Sequence, residues 1–154
     1  MKEFIKAYIQ KGLIKEEKIG FDQVIKHLNR ARKDLRVAKA NLKIDSEASY
    51  NYAYLAMLRT GRGLMFSFGF RPIGGEQHKT VVAFCGYFLG SELSNLVKHF
   101  DRMRRKRNRF TYDEPGLLVS ETETKKSFED AVIFVEKVSK FIQSKNPSAY
   151  PQLF

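Results

Sequence analysis

Between residues 22 and 44 apolar side chains return at alternating steps of four and three: Val24, Leu28, Ala31, Leu35, Ala38 and Leu42. That rhythm draws one stripe along a long helix and leaves Lys26, Arg30, Lys33 and Lys39 off it. Asp22, following the turn signal Ile19-Gly20, is available as its N-cap. A striped helix must bury its stripe against something else. The next segment, DSEASYNYAYLAMLRTGRGLMFSFGF, supplies the surface. It opens on Asp45 or Ser46 as a cap, runs to Gly69, and is apolar around almost its whole circumference. Its most continuous face is Tyr50, Ala53, Met57, Gly61, Leu64 and Phe68. Such a helix belongs in the middle of a bundle. Arg59 and Arg62 are its interior charges and lie on neighbouring faces. Gly61 and Gly63 weaken it as an isolated helix, so close packing against a neighbour has to compensate.

The remaining segments follow the same period. A short amphipathic helix covers residues 2–11, and FRPIGGEQ reads as a loop broken by Pro72 and Gly74-Gly75. A third main-chain helix is expected from His78 to Leu89. Gly90-Ser91 then interrupts the chain, with Ser91 as a possible cap. In the helix that follows, Leu93, Leu96, Val97, Phe100, Met103 and Arg107 share one side. Residues 110–121, with Pro115 and Gly116, form a connection. The last helix runs from about Glu123 to Gln143, with Phe128, Ala131, Val132, Val135, Val138 and Ile142 as its buried stripe, and KNPSAYPQLF is an irregular tail. No segment sustains a two-residue alternation between hairpin signals, so strands are not expected. The reading is all-α: an up-and-down bundle of four main helices plus one or two short ones, in a single domain over residues 1–154.

Several chemistries are excluded at this level. Cys85 is the only cysteine, so neither an internal disulfide nor a cysteine-built metal site can form. Its apolar setting, VVAFCGYFLG, marks it as a small core residue. GFRPIGG has neither the spacing of a phosphate-binding loop nor a strand before it. His27, His78 and His99 fall on separate helices without partners at metal-ligand spacing, and no Glu-x-x-His pairs occur. Glu16, Glu17, Asp113 and Glu114 read as surface charges. No metal and no cofactor is expected. The charged N-terminus lacks the apolar region of a signal peptide, and no apolar run approaches the roughly 20 residues that span a bilayer. A cytoplasmic protein without a membrane partner is expected.

Charge is the positive indication. The chain of 154 residues carries a formal net charge of +11. More than half of that excess lies in residues 98–109, where Lys98, Arg102, Arg104, Arg105, Lys106, Arg107 and Arg109 stand against Asp101. Such concentration points to a polyanion or an acidic protein as partner. On a helix turning about 100° per residue the charges separate. Arg102, Arg105 and Arg109 face solvent, whereas Arg107 stays with the apolar stripe and Arg104 lies beside it. An arginine at the edge of a core is costly unless an anion or a hydrogen-bonding group meets it. The plainest resolution would be an ion pair between Arg107 and Glu47, Asp113 or Glu129.

Four stretches, in this order and spacing, resemble the HEPN superfamily of helical bundle domains. ARKDLRVAKANL resembles the family's opening long helix. YNYAYLAMLRTGRGLMFSFGFRP resembles its second, aromatic-rich helix with the turn that ends it. EQHKTVVAF resembles the following turn and helix, and RRKRNRFTYD its signature segment. The resemblance covers about residues 22–143. In family members that are metal-independent ribonucleases, the signature is an arginine, a polar residue and a histidine, with four to six residues between the arginine and the histidine. The arginine stabilises phosphate charge and the histidine assists in-line attack by the neighbouring 2′-hydroxyl. Here Arg107 and Asn108 match the first two positions. Tyr112 stands at the third, and no histidine follows Arg107. A phenol with an ordinary pKa of about 10 is a poorer proton shuttle at neutral pH than imidazole, but it can donate a hydrogen bond or stack on a base.

The resemblance therefore implies a domain that binds RNA or nucleotide phosphates through Arg104, Arg107, Asn108 and Tyr112. Lys98, Arg102, Arg105 and Arg109 would add sequence-independent phosphate attraction. Arg107, Asn108 and Tyr112 would be the catalytic set if the chain is a metal-independent endoribonuclease, which is the first alternative. A protein-interaction module for a minimal nucleotidyltransferase is the second. The resemblance further implies a homodimer and a role as the toxin-like component of a toxin–antitoxin pair. The apolar central helix, rich in Tyr50, Tyr52 and Tyr54, supports self-association independently.

Overall fold

The long stripes become helices packed around the segment with the most apolar circumference. In the computed structural model, which describes residues 2–112 and 119–146 (only the backbone for 110–112), six α-helices run in chain order. They are α1 (Lys2–Gln10), α2 (Phe21–Ala40), α3 (Ser46–Ser67), α4 (Gln77–Phe88), α5 (Ser94–Tyr112) and α6 (Glu121–Lys145). Thirteen of the 22 residues of α3 are buried, so it is the central helix. Helix α2 returns along it after the turn at residues 41–44, and α6 packs on both. On the other side α4 and α5 form a second antiparallel pair. Tyr50, Tyr54, Phe84, Phe100, Phe134, Met57, Leu64, Met65 and Met103 are fully buried in the core. This is the expected all-α bundle: α2, α3, α5 and α6 are its long members, with α1 and α4 short.

Local chemistry explains where the helices begin. Asp45 caps α3, its carboxylate accepting from the Ala48 N–H at 3.1 Å. Ser120 caps α6 by accepting from the Glu123 N–H at 3.0 Å. The expected caps Asp22 and Ser91 are corrected. Gly20 is the N-cap of α2, and Asp22 lies inside the first turn. Ser91 opens a 3-10 turn, Ser91–Leu93, after Gly90 adopts a φ of 78°, and α5 starts at Ser94. The connection expected from residue 110 begins later, because α5 continues to Tyr112.

Two short strands contradict the strand-free reading. Residues Ile14–Glu16 (β1) pair antiparallel with Phe70–Pro72 (β2), in the register Ile14↔Pro72, Lys15↔Arg71 and Glu16↔Phe70. Three residues are too few to show an alternation in sequence. The ladder is fixed from outside, by burial of Ile14 and by the Arg71–Glu17 ion pair at 2.6 Å. It fastens α1 to the turn between α3 and α4.

Gly61 has the close neighbour that its helix-weakening character called for. A Cβ there would sit 2.5 Å from Val81 Cγ1 and 3.0 Å from Cys85 Sγ, so α4 crosses α3 at this point. Cys85 is fully buried, and burial pushes its thiol up to about 12, which makes it an inert core residue. One buried charge escaped the sequence reading. Asp34, on α2, receives Arg59 of α3 at 2.6 Å and Arg30 at 3.8 Å. Burial nonetheless holds its carboxyl above the ordinary carboxylate range.

Candidate nucleic-acid interface

Helix α5 sorts its basic residues by angle. Val97, Phe100 and Met103 are buried, which fixes its inner side and turns Lys98, Arg102, Arg105 and Arg109 outward, all exposed. Asp101 holds Arg104 at 3.0 Å and Arg105 at 3.1 Å. Lys106 reaches across to Glu123 of α6 at 2.8 Å and is thereby committed to the fold. Arg107 pairs with neither Glu47 nor Glu129, and Asp113, the third acid considered for it, lies outside the described residues. Its Nε donates to Oδ1 of Asn51 on α3 at 2.6 Å, and its guanidinium lies 5.4 Å from the centre of the Tyr54 ring. An amide neutralises no charge, so Arg107 keeps its capacity to meet an anion.

Arg104, Arg107 and Asn108 line one cleft of about 230 Å³ together with Glu76, Gln77, His78 and Lys79. These last residues form the N-terminus of α4, whose first N–H groups have no intrahelical acceptor and carry the positive end of the helix dipole. Glu76, the N-cap, stands in the left-handed region (φ 55°, ψ 38°) and makes no side-chain cap. Arg62 of α3 enters from below, donating to Gln77 Oε1 at 3.4 Å. Lys79, Arg104 and Arg107 thus line the cleft with Glu76, Arg62 reaches its Gln77, and Asp101 holds Arg104 from outside it. Arg104, Arg107 and Asn108 of the predicted set converge here. Lys98, Arg102 and Arg105 do not; they border a neighbouring groove. Arg109 lines neither, and the side chain of Tyr112 lies outside the described residues.

His78 is the residue that the sequence could name but not place. Its Nδ1 and the Tyr54 hydroxyl are 2.9 Å apart, on α4 and α3 respectively. Burial raises the pKa of the Tyr54 phenol, so it stays protonated and can donate to Nδ1. When the phenol donates, the proton of the neutral imidazole sits on Nε2, a suitable donor to a phosphate oxygen. Burial, followed by Arg62, Arg107 and Arg104, pushes the His78 pKa down to about 4. The depression reflects burial first and the three guanidinium groups second. The position of His78 in EQHKTVVAF drew notice, but its helix is separated from α5 in sequence and only packing joins them.

His99 occupies a different setting. Its Nδ1 meets Asp130 at 2.6 Å and its Nε2 meets Ser127 at 3.2 Å. The order serine–histidine–aspartate matches a hydrolase triad, but Ser127 has no exposed surface for a substrate to reach. The three residues tie α5 to α6. His27 bonds the Gln23 carbonyl at 3.0 Å and packs edge-on to Phe66. Among the described residues, no group of histidine, cysteine and carboxylate side chains could hold a metal ion. No helix among them is long and apolar enough to cross a membrane. No family model matches the chain, and no curated protein is similar enough to count as a relative.

Proposed function

We propose that the chain is a HEPN-type helical domain, acting in the cytoplasm, that binds RNA or nucleotide phosphates in the cleft between α4 and α5. One observation carries the reading. Arg104, Arg107 and Asn108 meet the N-terminus of α4 and His78 in a single opening, where cations, amide donors and a helix dipole all favour the same ligand charge. Arg107 and Asn108 are also the two positions at which the sequence matches the family's signature. The nucleotidyltransferase partner and the toxin-like role rest on the resemblance alone, and so does the homodimer, since Tyr50 and Tyr54 of the apolar helix are buried inside the bundle. The test is fluorescence anisotropy with labelled single-stranded RNA over a series of salt concentrations. Arg107→Ala should weaken binding about tenfold, the loss of one charge-assisted contact, and lower the salt slope by about 0.7. Unchanged affinity with an unchanged slope would sink the reading.

A second reading, metal-independent RNA cleavage, is favoured by the imidazole of His78 lining the same cleft as Arg107. With a pKa of about 4, this imidazole is a much weaker base than a free one. Binding is therefore preferred over cutting. Incubation of labelled RNA with the protein in chelator separates the two. Cleavage abolished by Arg107→Ala and by His78→Gln would establish the enzyme.

A further inference from the structure

We infer that single-stranded RNA lies along the groove between α4 and α5, with a nucleobase seated on an apolar floor next to the phosphate cleft. The inference rests on the proposed phosphate site and adds a subsite to it. A second cavity, of about 440 Å³, is lined by Val82, Ala83, Gly86 and Val97 and bordered by Lys98, Asp101, Arg102 and Arg105. Helical phase joins it to the first. On α4, Lys79 borders the cleft and Val82, Ala83 and Gly86 the groove, all within one side of the helix at steps of three and four. On α5, Arg104 and Asn108 border the cleft, and Val97 and Asp101 the groove. These four again share one face. The two openings are therefore successive parts of one trough between antiparallel helices. A rise of 1.5 Å per residue puts their centres about 6–10 Å apart, the separation between a phosphate and a nearby base.

Charge selects the occupant. The floor is aliphatic and small-sided, and Gly86 leaves it open: a Cβ there would meet only Val97 Cγ1, at an ordinary 3.5 Å. The rim carries Lys98, Arg102 and Arg105, all exposed, with the Asp101 carboxylate held against Arg105 at 3.1 Å. An apolar floor beneath guanidinium groups suits a flat aromatic ring attached to a polyanion, since the arginines can stack on the ring and attract the backbone together. An apolar helix from another protein would leave those cations opposite no charge. The chain thus sorts its basic strip in two: Arg104 and Arg107 hold a phosphate, and Lys98, Arg102 and Arg105 frame a base.

The experiment compares a short oligouridylate with a ribose–phosphate oligomer of equal length that lacks bases, by fluorescence anisotropy at constant salt. The wild-type protein should bind the oligouridylate about tenfold tighter, the value of one stacked base. Gly86→Leu, and separately Ala83→Leu, should fill the floor and abolish that preference while leaving affinity for the base-free oligomer unchanged. Two variants on different turns guard against a local folding defect, which circular dichroism would register. Equal wild-type affinity for the two oligomers overturns the base subsite. So does a preference that survives in both folded variants. A change in oligomeric state in Gly86→Leu without a change in oligouridylate affinity also overturns it and makes the groove a protein interface. If Arg107→Ala leaves binding of the base-free oligomer unchanged, the phosphate site is refuted; if it weakens that binding and no base preference exists, the subsite alone falls. Absence of binding to either oligomer overturns both.

Discussion

His78 ties the chemistry of the cleft to the stability of the fold. In the unfolded chain its imidazole titrates near the ordinary 6.5, whereas in the fold burial and the guanidinium groups of Arg62, Arg107 and Arg104 lower that to about 4. Between these values the unfolded state binds more protons. The contribution of His78 to stability is therefore complete above pH 6.5 and lost as the pH falls towards 4. Urea unfolding at pH 7.5 and pH 5 tests this against His78→Gln. After allowance for partial solvent exposure, the wild type should lose on the order of 1 kcal/mol more than the variant on acidification. Equal losses in the two proteins would show that the imidazole is not held neutral by its surroundings. Arg107 works in the same confined space from the opposite side. Its bond to Asn51 fixes the guanidinium without cancelling its charge, which an aspartate at that position would do.

At the level of the elements, the crossing of α3 and α4 determines where the cleft opens. In an exposed helix Gly61→Ala would stabilise by about 1 kcal/mol through helix propensity. Here the added methyl would lie 2.5 Å from Val81 Cγ1 and 3.0 Å from the buried Cys85 sulfur, an overpacking that costs about 1–3 kcal/mol. The crowding outweighs the propensity. Gly61→Ala should lower the urea midpoint and shift α4 outward, and RNA affinity should fall with it because His78 and Lys79 ride on that helix. A raised midpoint would mean that the two helices are not in contact at this glycine. Helix α5 is fixed from its far side by His99, Asp130 and Ser127 and by Lys106 on Glu123. Both walls of the trough are thus anchored independently of any ligand.

Across the whole molecule, the excess of +11 charges acts on a polyanion unevenly. Charges already paired inside the fold contribute little to counterion release, and exposed ones near the trough contribute most. Replacing Lys98, Arg102 and Arg105 together by alanine should flatten the salt dependence of RNA binding by about 1.4 in logarithmic slope, at about 0.7 each for Lys98 and Arg102, with little added by Arg105, which Asp101 already holds. Lys106→Ala, which removes a charge of equal size already held by Glu123, should change the slope far less. Equal effects per charge would mean that net charge alone governs binding and the trough has no role. Because the three rim residues are exposed, thermal unfolding of the triple variant should match that of the wild type.

Periodicity and composition by themselves determined the helical bundle, its central member α3, the inert Cys85 and the division of the basic strip into inward and outward arginines. Each of these follows from the phase of side chains on one helix, which a local pattern carries in full. Only the tertiary structure decided the β1–β2 pairing, the burial of Asp34 against Arg59, the bond of Arg107 to Asn51, and the arrival of His78 in the same cleft. All four join residues on different elements. Sequence phase says which way a side chain faces from its own axis, but the partner it meets depends on how that axis is placed against the others by core packing at Gly61, Tyr54 and Phe100. The resemblance drew attention to Arg107 and Asn108, with Tyr112 where a histidine would stand. The cleft that Arg107 and Asn108 line also holds His78 of α4, because packing brings together in space what the chain keeps apart.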